Sequence, residues 1–97
     1  MFSFEFTPEA LDDMRQFRKY DRRQIIGAIE KQLHYQPTQE TRNRKKLRPN
    51  DLAEWELRID EFRVFYDIDE ENYIVNIEAV GYKKGSQLFI HGEKYQL

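Results

Sequence analysis

Apolar and polar positions along the chain follow a short succession of regular patterns. Phe2, Phe4 and Phe6 alternate with Ser3 and Glu5, which predicts an edge or second-layer strand burying one face. Thr7-Pro8-Glu9 marks a helix start. Thr7 is able to cap free amides, Pro8 suits the first helical position, and Glu9 suits the positive end of the helix dipole. Ala10, Leu11, Met14 and Phe17 recur at helical spacing, and this helix is expected to end near Tyr20. Asp21 with Gln24 resembles a capping box opening a second helix, whose apolar face is Ile25, Ile26, Ile29 and Leu33. Pro37 closes it, because the residue before proline disfavours helix. The short link predicts an antiparallel helix hairpin.

Residues 36–51 carry no period and read as a loop, long for a compact domain. Beyond them the pattern alternates. Trp55, Leu57 and Ile59 share a face, as do Phe62, Val64, Tyr66 and Ile68, and then Tyr73, Val75, Ile77 and Ala79. These are three strands of a meander, with Trp55 in the core, and the helix hairpin supplies the cover for their apolar face. The expected fold is α+β in the order β-α-α-β-β-β, an antiparallel-dominated sheet with the hairpin on one face. Residues 1–97 form a single domain, and a tail follows from Gly81.

A two-residue turn at Asp60-Glu61 sets Ile59, Leu57 and Trp55 opposite Phe62, Val64 and Tyr66, so one register satisfies every apolar position. The same register sets Arg58 opposite Arg63 on the face away from the helices. Pairing Tyr73 with Ile68 would then bring Glu78 opposite Arg63. Two arginines across a ladder repel and require an anion between them. Glu56 and Glu78 supply it in one reading. In the other, the arginines hold a phosphate and the glutamates accept a proton from a ribose hydroxyl.

At 97 residues the chain has room for one core, and its 39% hydrophobic content is enough to fill it. Cysteine is absent, which excludes disulfides and thiolate chemistry and fits a cytoplasmic protein. Only two histidines are present, with no metal-ligand spacing, and no cofactor motif is visible. No signal peptide or membrane span is expected from the pattern. The net charge of −2 conceals a division. Arg42, Arg44, Lys45, Lys46 and Arg48 stand against Glu40 alone within residues 40–50, whereas residues 51–78 are strongly acidic. A local basic patch bears on nucleic acid more than the mean does. Arg15, Arg18, Lys19, Arg22 and Arg23, around the helix turn, read as a solvated face.

The segment Trp55 to Ile68, WELRIDEFRVFYDI, resembles the central hairpin of the RelE/ParE superfamily of toxins from type II toxin–antitoxin systems. So do the runs Lys46-Leu47-Arg48 and Val80-Gly81-Tyr82-Lys83, the Leu88-Phe89-Ile90-His91-Gly92-Glu93 ending, and the element order. The resemblance implies growth arrest. RelE-like members cleave messenger RNA on the ribosome without metal, and ParE-like members inhibit DNA gyrase. It also implies a cognate antitoxin, with operator DNA contacted only through that partner. By the same resemblance Arg58 and Arg63 bind the scissile phosphate and Lys83 stabilises developing charge, whereas Glu56 stands where the family often has lysine; the register reading, not the resemblance, makes Glu56 or Glu78 the base. Phe89 stands where many ribonucleases have tyrosine, and His91 is the nearby candidate acid. Arg42, Arg44, Lys45, Lys46, Arg48 and Lys84 are the expected RNA and ribosome contacts. The alternative is a non-catalytic member of the fold that inhibits gyrase or only binds an antitoxin.

Overall fold

The computed structural model describes residues 1–97. It contains β1 (Ser3–Phe6), α1 (Pro8–Arg15), α2 (Lys19–Leu33), β2 (Arg44–Lys46), β3 (Trp55–Ile59), β4 (Phe62–Asp69), β5 (Ile74–Lys84), β6 (Gln87–Ile90) and β7 (Glu93–Tyr95). One sheet holds all seven strands, in the order β2-β3-β4-β5-β6-β7, with β1 added to β5. β1 runs parallel to the Ile74–Ile77 half of β5, and β6 pairs antiparallel with the Tyr82–Lys84 half. The architecture is the expected α+β arrangement with the helix hairpin on one face. No helix is long and apolar enough to cross a membrane.

The helix starts follow local chemistry only in part. Thr7 Oγ1 accepts from the Ala10 amide at 3.1 Å, and Pro8 occupies the first turn. The end near Tyr20 and the start at Asp21 are corrected: α1 stops at Arg15 and α2 begins at Lys19. Phe17 decides this. Its ring meets Phe62 edge-on at 5.2 Å and Tyr82 at 6.2 Å, so the chain reverses around a core aromatic. Asp21 lies inside the first turn of α2, where it favours the dipole and pairs with Arg18 at 3.4 Å.

Helix side chains Ala10, Met14, Ile25, Ile29 and Leu33 pack on Leu57, Val64, Tyr66, Val75, Ile77 and Val80. Each fully buried aliphatic side chain stabilises the fold by about 1.5–3 kcal/mol. Tyr66 is fully buried and donates its hydroxyl to the Pro37 carbonyl at 2.6 Å. Burial pushes that phenol well above its ordinary pKa, with nearby Arg44 opposing.

The β3–β4 register is the expected one, down to Trp55 opposite Tyr66 and Arg58 opposite Arg63. The β4–β5 register is not. Ile68 pairs Val75, and beyond a bulge at Phe65/Tyr66 Arg63 pairs Gly81. Asp69 holds the Asn72 amide at 3.1 Å and its side chain at 2.8 Å, and Tyr73 takes φ 56°, so the connection closes on Asp69 and Ile74, one residue later than expected on each side. The bulge then exchanges faces: Val80 joins the helix-side core, and Ala79 turns to the other side.

That other side is not bare. Phe65, Ala79, Ala53, Leu88 and Ile90 form a second small core there, flanked by Leu47, Leu52 and Tyr95. Three strands fall where loop or tail was expected. β2 lies within the basic segment and pairs with β3, while β6 and β7 replace the tail from Gly81. His91 and Gly92, at φ 56° and 79°, make the two-residue β6–β7 turn, a geometry that matches the twist of a hairpin.

Candidate functional site

On the sheet face away from the helices, pairing stacks side chains in rows. Lys45, Glu56, Phe65 and Ala79 form one row. Arg58, Arg63 and Gly81 form the next, and Lys83 with Leu88 and Tyr95 form a third. Strand alternation therefore concentrates Glu56, Arg58, Arg63 and Lys83 on one face. Gly81 sits among them because a β-carbon there would lie 2.4 Å from the Phe89 carbonyl oxygen and 2.9 Å from Ile90. Glycine is what permits β6 to close on β5 at this point.

The arginines are held differently. Arg58 Nε donates to Glu56 Oε1 at 2.9 Å, with the Glu56 side chain 7% exposed and that of Arg58 49% exposed. Arg58 thus keeps its outer guanidinium edge in solvent. Arg63 folds over the β3–β4 turn, where Nη1 donates to the carbonyls of Asp60 at 2.6 Å and Phe62 at 2.8 Å. Its Nε is buried and has no partner. Burial pulls the Arg63 pKa down, Arg58 pulls it further, and Glu56 opposes both. An arginine starts so high that it stays charged. An unpartnered charged donor is costly, and an anion reaching it would relieve that cost.

Beside these residues lies an open groove of about 530 Å³, lined by Glu56, Lys83, Ser86, Gln87, Lys94 and Tyr95 among others. Tyr95 and Lys94 come from β7, a strand within the expected tail. Their sequence signal is the His91-Gly92 pair between two short alternating runs, a two-residue hairpin signature. Tyr95 brings a phenol to a groove whose expected tyrosine position is Phe89. Phe89 itself points to the helix side, stacked on Tyr82 at 5.3 Å.

Two candidates lie elsewhere. Glu78 falls in the bulge region, on β5 below the arginines, and the expectation that it faces Arg63 is corrected. Its neighbours are Asp67 and Glu9. Burial first, then a hydrogen bond and repulsion from Asp67, then repulsion from Glu9, push its carboxyl up to about 7. His91 is on the helix side of the sheet. Its Nδ1 lies 2.6 Å from Asp13 Oδ1, and Asp13, only 4% exposed, also accepts the Val80 amide at 2.9 Å. The sheet separates this imidazole from the arginine pair.

The basic segment divides as well. Arg42, Lys46, Arg48 and, at the end of β5, Lys84 are exposed. Lys45 is half-buried opposite Glu56, and Lys46 Nζ lies 6.0 Å from the Trp55 ring centre. Arg44 turns inward instead of toward solvent. Its Nε donates to the Gln39 carbonyl at 3.0 Å and its Nη1 to the Gln32 carbonyl near the end of α2. It ties the segment after α2 to the body of the fold. Chemically, the face offers cationic groups for an anion, one buried carboxylate on a leash of one arginine, and a phenol.

Residues 4–86 match the family described as ParE toxin of type II toxin-antitoxin system, parDE. No curated protein matches the chain. Among solved structures, a chain of the toxin–antitoxin complex RelBE2 from Mycobacterium tuberculosis is similar in fold. Its TM-score is 0.72 at 23% identity, over 84% of this chain and 98% of that one.

Proposed function

This chain belongs to the ParE toxin family of type II toxin–antitoxin systems, within the RelE/ParE superfamily, and from the chemistry of its arginine face we propose that it arrests growth as a ribosome-dependent, metal-free endonuclease of messenger RNA. The observation that carries this reading is the Arg58–Arg63 cross-strand pair, with a buried unpartnered Nε, beside a groove that holds Lys83 and Tyr95. Metal-free cleavage needs a base for the 2′-hydroxyl, stabilisation of the phosphorane, and a proton for the leaving 5′-oxygen. Arg58 and Arg63 take the phosphate. That contact competes with Glu56 for Arg58 and releases the Glu56 carboxylate as proton acceptor. Lys83 stabilises the developing charge, and Tyr95 gives the proton to the leaving oxygen. Exposed Arg42, Lys46, Arg48 and Lys84 contact ribosomal RNA. The protein works in the cytoplasm under the control of a cognate antitoxin, through which alone it reaches operator DNA.

The test is cleavage of programmed ribosomes by the purified chain, read by primer extension. Codon-phased cuts are expected from the wild type and none from Arg63→Ala, which keeps its circular dichroism and antitoxin binding. Uncut messages, together with unchanged toxicity of Arg63→Ala, would sink the proposal. A second reading rests on the buried Glu56–Arg58 pair, which neutralises part of the site in the free protein. In that reading the chain inhibits gyrase, and induction leaves messages intact while double-strand DNA breaks accumulate.

A further inference from the structure

A cavity of about 390 Å³ lies on the helix side of the sheet, between the chain after α1, the β3–β4 turn and the β6–β7 turn. Cavities of this size take small organic ligands. Its apolar wall is aromatic. Tyr82 stacks on Phe89 at 5.3 Å with 13° between the rings, and Phe17 meets Tyr82 and Phe62 edge-on. Phe62 is buried, whereas Phe17, Tyr82 and Phe89 are half-buried and keep ring surface open. Such surface attracts cations and stacks flat guanidinium groups.

The charged side chains of the wall are of one sign. Asp13, Asp21 and Glu61 line the cavity, and no lysine or arginine does. Asp13 is 4% exposed and both of its oxygens are engaged, one by the Val80 amide at 2.9 Å and one by His91 Nδ1 at 2.6 Å. A buried carboxylate so placed fixes the imidazole and draws the ring hydrogen to Nδ1, which leaves Nε2 as an acceptor. Asp21 meets Arg18 at 3.4 Å, but that arginine side chain is 84% exposed, so the pair is weak and exchanges readily. Glu61 is exposed and makes no ion pair. Carboxylates and Nε2 accept hydrogen bonds and give none. The complementary ligand is therefore flat, cationic and rich in donors. An anion is repelled by the same wall, and a neutral apolar molecule would strip water from the carboxylates without replacing it.

We propose that this cavity is a binding site for a guanidinium cation, which stacks on the open aromatic surface of Tyr82 and Phe89 and donates to Glu61 and Asp21. The inference does not depend on the proposed ribonuclease, because Phe62 and Arg63 point to opposite faces of β4 and the cavity lies across the sheet from the arginine pair. The test titrates the intact chain with agmatine, a free guanidinium compound, and with capped arginine, a mimic of a protein side chain, and follows the backbone amides by NMR. Shifts are expected at Tyr82, Phe89, His91 and Gly92, with a Kd of about 0.1–1 mM. Tighter binding of agmatine supports the site and assigns it to a free small molecule. Tighter binding of capped arginine supports it and assigns it to the side chain of a protein. Capped citrulline, equally flat but uncharged, should bind at least about tenfold more weakly. Glu61→Gln should weaken agmatine about tenfold, and Phe89→Leu, which keeps an apolar side chain but removes the ring, about fivefold. Glu71→Gln, an acid of the β4–β5 turn outside the cavity, should change nothing. Equal losses in Glu61→Gln and Glu71→Gln would reduce the effect to general charge and refute the site. Equal affinity for capped citrulline, or the absence of shifts at the cavity residues with either cation, would overturn it as well.

Discussion

Glu78 offers a test in which two placements of one side chain give opposite signs. In the structure its carboxyl stands among Asp67 and Glu9 and is raised from 4.5 to about 7. Its folded pKa therefore exceeds its unfolded one. The folded state binds the extra proton, so the stabilisation is complete below about 4.5 and is lost as pH rises through about 7. A rise of this size converts to about 3 kcal/mol as an upper bound. Glu78 is only half-buried, and screening by water reduces this to about 1–2 kcal/mol. Glu78→Gln removes the titration and keeps the shape. At pH 8 the variant is expected to be more stable by about 1–2 kcal/mol, a midpoint rise of roughly 5–10 °C, with the advantage shrinking toward pH 5. The assay is urea or thermal unfolding of both proteins at pH 5, 6.5 and 8. Had Glu78 faced Arg63, its pKa would be depressed and the Gln variant would lose stability at pH 8. That result, or a pH-independent difference, would refute the placement.

Other outcomes follow from single contacts. Glu56→Gln should leave ribosome binding intact or tighter, since Arg58 loses its anionic partner, while slowing cleavage by about 10²-fold or more. Unchanged single-turnover rates would reduce Glu56 to a neutraliser. Gly81→Ala drives a β-carbon to within 2.4 Å of the Phe89 carbonyl oxygen and should cost about 3 kcal/mol, with hydrogen exchange rising first in β6 and β7. Protected β6 amides in that variant would argue against the close strand approach. Tyr66→Phe should cost about 1–2 kcal/mol, because the buried Pro37 carbonyl loses its 2.6 Å donor, and denaturant midpoints at constant slope measure it.

Much of the fold is decided within short windows of sequence. Alternation over Trp55–Ile68 with a two-residue turn permits only one register, because a slip by one residue would send every apolar side chain to water. The Arg58–Arg63 pair is therefore legible in the sequence. Thr7-Pro8 capping and the Ile25, Ile29, Leu33 stripe are equally local. The resemblance to the toxin family rests on this central run together with the Lys46–Arg48, Val80–Lys83 and Leu88–Glu93 runs and the element order.

What lies beyond those windows was settled only by packing in three dimensions. The β4–β5 bulge depends on an Asx turn at Asp69 and on which of Ala79 and Val80 fills the helix-side core, a choice between two apolar residues that periodicity cannot make. Its consequence is that Glu78 leaves the arginines and Gly81 takes its place. β6 and β7 are short, and their one sequence signal is the His91-Gly92 pair between them. They exist because Leu88 and Ile90 find Phe65 and Ala79 on a face that alternation alone had left polar. Their closure sends His91 to Asp13 and brings Tyr95 to the groove. Side chains separated by many tens of residues meet only when strand pairing brings them together. Hence the arginine pair, joined by a local hairpin, was readable from the chain, while its carboxylate, phenol and histidine neighbours were assigned by the tertiary structure.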